Sequence, residues 1–301
     1  MQDFASAIDA ALEGERAVVL ASIIAAGGTW SSCVGQQMLV HENSETLGTL
    51  MLPDASRGLA LQLNESAQKA IATGKPHIEH VGATLAVARP ASKSRIESDD
   101  QRHIEKIPGP ANAWAEIFIE PFVPDPGLLI AGAGHIAAPL ASIARLMNFS
   151  VSVTDDRASF ANRDRFPTAK QLLVGDIEAT LKHYPITPRT HVVLVTRAHA
   201  HDVQGLRAII DSPAAYIGMI GSQRRVWAVF KLLHEEGVPP EKLSRVRAPI
   251  GLDLGGSTPE EIALSIMAEI IKLRHNGSGI ATSEPLRDRY MERLKHLDED
   301  L

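Results

Sequence analysis

Residues 128–140 read Leu-Leu-Ile-Ala-Gly-Ala-Gly-His-Ile-Ala-Ala-Pro-Leu, an apolar run that enters a glycine turn and then a helical pattern. Consecutive apolar residues without alternation fit a strand covered on both faces, as in a parallel sheet with helices on each side. Gly132 and Gly134 permit a tight turn and close backbone approach, and the first amides of the next helix face an anion with the positive dipole end behind them. Ala137 stands where the usual fingerprint has a third glycine. That position needs close helix-to-strand packing rather than positive φ, so alanine satisfies it. The stretch reads as a phosphate-binding corner; a tight turn that binds nothing is the alternative.

The same grammar repeats downstream. Strands are expected at 128–131, 151–155, 171–174, 191–196, 215–220 and 246–249, with helices in the gaps. The first helix carries apolar positions at Ile136, Leu140, Ile143 and Met147, and a later one at Val226, Val229, Phe230 and Leu233. This is the pattern of a doubly wound, Rossmann-like α/β sheet, expected in the order 3-2-1-4-5-6. Asp155 closes the second strand, where such a fold places an acid that accepts from a ribose hydroxyl. The last strong helix starts at Thr258-Pro-Glu-Glu, a capping box with proline at the first helical position, and buries Ile262, Ile266, Ile270 and Leu273. It ends near Asn276-Gly277 as a left-handed cap would.

Pro121-Phe-Val-Pro-Asp-Pro-Gly marks a boundary, since three prolines in six positions suit neither helix nor central strand. Residues 1–120 then form a smaller N-terminal α/β domain, with strands at Val18–Ile24, Met38–Val40, Thr84–Ala88 and Glu116–Ile119 around a helix from Leu59 to Thr73. Residues 121–277 form the cofactor-binding domain, and 278–301 a charged tail or surface helix. Ala91–Pro110, polar and ending Pro-Gly-Pro, reads as an exposed excursion.

A net charge of -6 with scattered Lys and Arg argues against nucleic acid or an anionic membrane as main partner. The first apolar run, Ala17–Ala26, is too short to span a bilayer and lacks a basic flank, so a cytoplasmic address is expected. The single cysteine, Cys33, excludes an intramolecular disulfide and any multi-cysteine metal site within the chain.

In the expected sheet the first and fourth strands adjoin, and their carboxyl ends open the binding crevice. The fourth strand runs into Thr196-Arg-Ala-His-Ala-His-Asp, which brings Arg197, His199, His201 and Asp202 beside the glycine turn. Two histidines and an acid can bind a metal, relay a proton or hydrogen-bond a polar ligand. They can equally be loop residues, with Asp202 capping the following helix. After the fifth strand, Gly221 and Ser222 precede Arg224 and Arg225 in a first helical turn, where arginine opposes the dipole and favours an anion, unless both are merely solvated. Asp253, before two glycines and the capped last helix, also borders the crevice. Cys33 sits in a glycine- and hydroxyl-rich loop, either as a reactive or metal-binding sulfur or as an inert thiol.

Together these segments resemble the XdhC/CoxI family, accessory proteins that handle the molybdenum cofactor for xanthine dehydrogenase, aldehyde oxidoreductase and carbon monoxide dehydrogenase type enzymes. The resemblance rests on Leu-Ile-Ala-Gly-Ala-Gly-His at 129–135, Thr-Asp-Asp-Arg at 154–157, Thr-Arg-Ala-His-Ala-His-Asp at 196–202, Tyr-Ile-Gly-Met-Ile-Gly-Ser at 216–222 and Ala-Pro-Ile-Gly-Leu-Asp-Leu-Gly at 248–255, then Thr-Pro-Glu-Glu-Ile-Ala. Before residue 120 it weakens: Gly28–Val40 lacks the proline and arginine of the family segment. Gly48–Ser56 has neither the glycines nor the cysteine of the family's Gly-Gly-Cys-Leu-Glu stretch, which leaves Cys33 as the sulfur candidate.

The resemblance implies a chaperone that binds a molybdopterin-type cofactor, in mononucleotide-free or dinucleotide form. It implies support of the cofactor's sulfuration with a cysteine desulfurase, and delivery to a molybdoenzyme. Gly132, Gly134, His135 and Ala137 would belong to the phosphate corner, with Asp155 and Arg157 beside a ribose or pterin group. Arg197, His199, His201 and Asp202 would face the pterin or molybdenum-bearing end, bordered by Gly221, Ser222, Arg224 and Asp253. A homodimer is expected, and the 91–110 excursion offers a partner surface. The alternatives are an NAD(P)-dependent oxidoreductase, with His199 or His201 as acid and Arg157 meeting a 2′-phosphate, and a nucleotide-sensing module without catalysis.

Overall fold

The computed structural model describes residues 3–14, 16–53, 58–82, 113–284, 286–287 and 289–290. The chain divides into two compact units, Met1–Pro124 and Asp125–Leu301. The 84–88 strand, the 91–110 excursion and most of the final tail lie outside the described residues.

The first unit contains α1 (Phe4–Glu13), β1 (Val18–Gly27), a 3-10 turn (Gly28–Cys33), β2 (Gln37–His41), β3 (Thr46–Gly48), α2 (Gly58–Thr73), β4 (His77–Gly82) and β5 (Trp114–Phe122). Its sheet has the order β3-β2-β1-β5-β4, with every pair antiparallel. Alternation along β1 divides the core: Val19, Ala21 and Ile23 pack with Leu59, Leu63 and Ala67 of α2, whereas Val18 packs with Ile8 and Ala11 of α1. Three elements were not expected from the sequence: α1, β3 and β4. β4 reads His-Ile-Glu-His-Val-Gly and lies at a sheet edge, so its polar, half-exposed residues carry little apolar signal. β5 also runs on into Pro121, paired opposite Val19. Its pairing with β4 starts only at Ile119, so proline falls where β5 is an edge.

The second unit contains β6 (Gly127–Ala131), α3 (Ala137–Leu146), β7 (Ser150–Asp155), β8 (Gln171–Val174), α4 (Ile177–His183), β9 (Thr190–Leu194), α5 (His199–Ile209), β10 (Tyr216–Met219), α6 (Gln223–Glu235), α7 (Pro240–Leu243), β11 (Val246–Arg247) and α8 (Pro259–Arg274). The sheet order is β11-β10-β9-β6-β7-β8, all parallel, which is the expected 3-2-1-4-5-6 arrangement. The unbroken apolar runs follow from two covered faces. Leu128, Ile130, Val153 and Val193 pack under α3 and α8, whereas Leu129, Ala131, Val192 and Leu194 pack under α4, α5 and α6.

Two buried stripes are rotated from their expected positions. In α3 the buried residues are Ala137, Leu140, Ala141 and Ala144, while Met147 lies beyond the helix. In α8 they are Ala263, Ile266, Met267 and Ile270, with Leu273 outside the stripe. In α3 the alanine-rich face turns inward, which lets the helix pack closely. The capping box forms: Thr258 accepts from the Glu261 amide and Glu261 accepts from the Thr258 amide. Asn276, at φ 52°, takes the left-handed position just past the helix. Among the described residues no helix is long and apolar enough to cross a membrane.

Candidate functional site: the glycine crevice

The site lies at the carboxyl edge of the second sheet, where β6 and β9 run side by side and their chains leave in opposite directions into α3 and α5. Gly132 follows β6 at φ +104° and its amide donates to the Thr154 carbonyl at 2.8 Å. A Cβ there would stand 2.6 Å from the Val195 carbonyl oxygen and 3.1 Å from Thr196 Cα. Glycine at 132 is thus demanded by backbone conformation and by the neighbouring chain. Gly134 differs: nothing lies within 4 Å of its Cβ position, and the protein itself does not require glycine there. Ala137 is fully buried in the core beneath α3, the packing role its position suggested. His135 is exposed beside it.

Neither helix entering the crevice has a side-chain cap. α3 starts after Ile136 and α5 after Ala198, without the hydrogen bonds that Asp176, Ser222 and Thr258 supply to α4, α6 and α8. Their first amides therefore face the crevice edge with no side-chain acceptor.

Asp155, at the end of β7, is only 2 % exposed. Its Oδ2 accepts from the Ala133 amide at 2.7 Å and from Arg157 Nη2 at 3.0 Å, and its Oδ1 accepts from Arg157 Nε at 2.8 Å and the Arg157 amide at 3.0 Å. Four donors fill the carboxylate, so the expected ribose contact would require displacing Arg157 or the turn itself. Asp155 ties the glycine turn to β7. Burial pushes its carboxyl up, but the Arg157 guanidinium and the Ala133 and Arg157 amides outweigh burial and hold it well below the usual carboxylate range. A depressed folded-state value gives stability that is complete above the ordinary unfolded value of about 3.9 and lost as pH falls through the folded one. Asp155→Asn is therefore expected to lower the urea midpoint at pH 6 and to make the midpoint less sensitive to pH between about 4 and 2.

Arg157 also stacks on Phe160, its Cζ 3.6 Å from the ring centre, and Arg165 lies 4.8 Å from the same ring. Arg165 Nη2 donates to the Gly134 carbonyl at 3.1 Å. Asp156 is exposed and meets Arg197 at 2.7 Å. Sequence reading missed Asp156, Phe160 and Arg165; the one available signal was the density of arginines at 157, 163 and 165 just past the acidic strand end.

Asp202 does not cap α5. It lies a full turn inside the helix, completely buried, and accepts from Thr196 Oγ1 at 2.5 Å and Arg225 Nε at 2.7 Å. Burial pushes the Asp202 carboxyl up, with the Thr196 and Arg225 hydrogen bonds pulling the other way. The anion that the α6 arginines call for is this protein carboxylate: Ser222 caps α6 through the Arg225 amide, Arg225 reaches Asp202, and Arg224 stays exposed. Asp202 and Arg225 thus lock the β9–α5 corner to the β10–α6 corner, whose turn contains Gly221. They do not present themselves to a ligand.

His199 and His201 fall at the first and third positions of α5. Residues two apart on a helix point to different sides, so the pair does not form one metal site. No group of three or more His, Cys, Asp or Glu side chains that could hold a metal is present among the described residues. Asp253 is exposed, its Oδ1 accepting from the Gly255 amide at 3.3 Å in the loop before α8. Cys33 belongs to the first unit, where the expected exposed loop is a 3-10 turn: the residue is 3 % exposed and its thiol donates to the Met51 carbonyl. Such a thiol packs as a small apolar group.

The arrangement suits holding a phosphorylated ligand. It offers a glycine turn with open space at Gly134, uncapped amides, and Arg165 and Arg197 at its rim.

Residues 128–270, which include the glycine turn and both ion-paired corners, match the model of the XdhC Rossmann domain. Over 170 residues the chain is 32% identical to YqeB of Escherichia coli K12, covering 56% of this chain and 31% of that protein. It is 35% identical over 158 residues to a probable xanthine dehydrogenase subunit from Bacillus subtilis 168, covering 52% of this chain and 46% of the other. It is 29% identical over 85 residues to PaoD of Escherichia coli K12, a molybdenum cofactor insertion chaperone, covering 28% and 27%. The chain spans less than half the length of these relatives. Residues 128–270, within the second unit, are thus identified by that match as an XdhC-type Rossmann domain.

Proposed function

We propose that this protein is a maturation accessory of xanthine dehydrogenase-type molybdoenzymes, and that its glycine crevice holds the phosphate end of a molybdopterin-type cofactor for transfer. The observation that carries this reading is the match of 128–270 to the XdhC Rossmann domain, with the crevice residues inside it. The names of the two relatives from Bacillus subtilis and Escherichia coli support the same role. The residues present fit a phosphate: Gly134 leaves open space where a Cβ would stand, and Arg165 donates to the Gly134 carbonyl beside it. Among the described residues no cluster of three or more ligating side chains is present to hold molybdenum, so in this reading the pterin's own sulfurs would carry the metal and the chain would bind the organic part. In this reading His135, Arg197, His199 and His201 would meet polar groups of that part, whereas Asp155, Asp202 and Arg225 are engaged in ion pairs of the frame. Arg157, which an NADP-dependent enzyme would direct at a 2′-phosphate, is instead committed to Asp155. Sulfuration by a cysteine desulfurase, a client of the xanthine dehydrogenase or aldehyde oxidoreductase type, and a homodimeric state belong to the same proposal.

The test offers purified protein the molybdopterin cofactor and, separately, NADH. Cofactor is expected to co-elute with the protein on a sizing column, detected by molybdenum content and by pterin fluorescence after oxidation, while NADH fluorescence stays unchanged. Enhanced NADH fluorescence with no cofactor in the protein peak would make the oxidoreductase reading the better one.

A further inference from the structure

In the sheet order, β6 lies between β7 and β9, so the glycine turn leaves the sheet between the ends of its two neighbours. Those ends are joined. Asp156 directly follows β7, Arg197 follows β9, and Arg197 Nη2 meets Asp156 Oδ2 at 2.7 Å. The contact links the two chains that flank the turn. It closes a triangle with the Ala133–Asp155 hydrogen bond, which ties the turn to β7, and the close approach of Gly132 to Val195, which ties it to β9. The three sides differ in kind. The other two are buried, whereas the Asp156 and Arg197 side chains are 34% and 51% exposed. An ion pair this exposed holds weakly and exchanges readily for a better partner.

Asp155 has no acceptor site left, so the acid available at the end of the second strand is Asp156. Its remaining oxygen, Oδ1, is 3.7 Å from Arg157 Nε, beyond hydrogen-bond distance.

We propose that the Asp156–Arg197 pair is a strap beside the glycine turn that a nucleoside diphosphate group opens, Arg197 turning to its phosphate and Asp156 to the hydroxyls of its ribose. This rests on the phosphate seat proposed above and names what is attached to that phosphate. A bare phosphate engages Arg197 but leaves Asp156 as an unmatched negative charge beside it. A ribose supplies the donors that satisfy Asp156, and a 2′-phosphate is repelled by it. The ligand class is therefore a nucleoside diphosphate with free ribose hydroxyls. Nicotinamide dinucleotides and the dinucleotide forms of molybdopterin both contain it.

Calorimetric titration of the full chain with pyrophosphate, ADP, CDP, GDP and adenosine 2′,5′-bisphosphate tests this in the wild type, Asp156→Asn and Arg197→Gln. The wild type is expected to bind at least one nucleoside diphosphate about tenfold tighter than pyrophosphate or the 2′-phosphate. Arg197→Gln weakens all the phosphates about tenfold, whereas Asp156→Asn strengthens pyrophosphate several-fold and erases the preference for the nucleoside. Thermal midpoints stay within about a degree or two, because an exposed pair contributes little to folding. Preference for CDP or GDP points to a pterin dinucleotide and is expected; preference for ADP points to a nicotinamide dinucleotide source, which supports the strap but counts against the maturation reading. The proposal is overturned if no nucleoside diphosphate binds the wild type at millimolar concentration, or if both variants bind every probe as the wild type does. Nucleoside diphosphate binding without co-elution of molybdopterin cofactor would sink the maturation reading and leave the strap standing. The reverse pair of results would sink the strap alone.

Discussion

Gly132→Ala is expected to destabilise the second unit by about 3 kcal/mol, from backbone strain and from overpacking of about 1–3 kcal/mol each. The residue sits at φ +104°, and its missing Cβ would be 2.6 Å from the Val195 carbonyl oxygen. That carbonyl cannot yield cheaply, because Val195 is fixed by its own amide, which donates to Ala131 at 2.9 Å. A melting curve should show a fall of roughly 6–12 °C for a unit of this size. Gly134→Ala makes the contrast, since nothing lies within 4 Å of its Cβ and its φ is not left-handed. Its melting point should stay within about 2 °C of the wild type. Equal losses at the two positions would mean that the turn is built differently from this account.

Asp202→Ala is expected to lose about 3 kcal/mol for a different reason. The carboxylate is completely buried and bonded to Thr196 and Arg225, so its removal strands a guanidinium and a hydroxyl together. Asp202→Asn keeps an acceptor and should lose about half as much. Arg225→Met in the Asp202→Ala background should recover part of the loss, because removing both partners of a buried pair costs less than removing one. Urea melts of the two single variants and the double variant measure this coupling. Strict additivity would show that the β9–α5 and β10–α6 corners are not locked through this pair.

The sheet was legible because burial on two faces writes itself into sequence as unbroken runs such as Leu128–Ala131 and Val192–Leu194, and because glycine, proline and capping residues punctuate between them. The edge strand β4 was not, since a half-exposed edge needs no apolar pattern. The same distinction governs the crevice. Gly132 and Ala137 could be placed because the tight turn after β6 and the close helix-to-strand packing beside it restrict their residue types. The acids and arginines could not be assigned, because a carboxylate looks the same in sequence whether a ligand or another side chain satisfies it. Asp155 with Arg157 and Asp202 with Arg225 are both satisfied internally, across separations of 2 and 23 residues. Only the fold reveals that Asp156 and Arg197, 41 positions apart, are the exposed pair next to the turn.

We propose that a cofactor phosphate sits in the open space at Gly134. The direct measurement is molybdopterin cofactor bound per protein after gel filtration, compared between wild type and Gly134→Asp, with melting points taken on the same samples. An aspartate there occupies that space and sets a negative charge against the phosphate, while the absence of close neighbours lets the chain fold. The account predicts near-stoichiometric cofactor on the wild type, a loss of at least about tenfold in the variant and closely similar melting points. Cofactor retained equally by both proteins would contradict it.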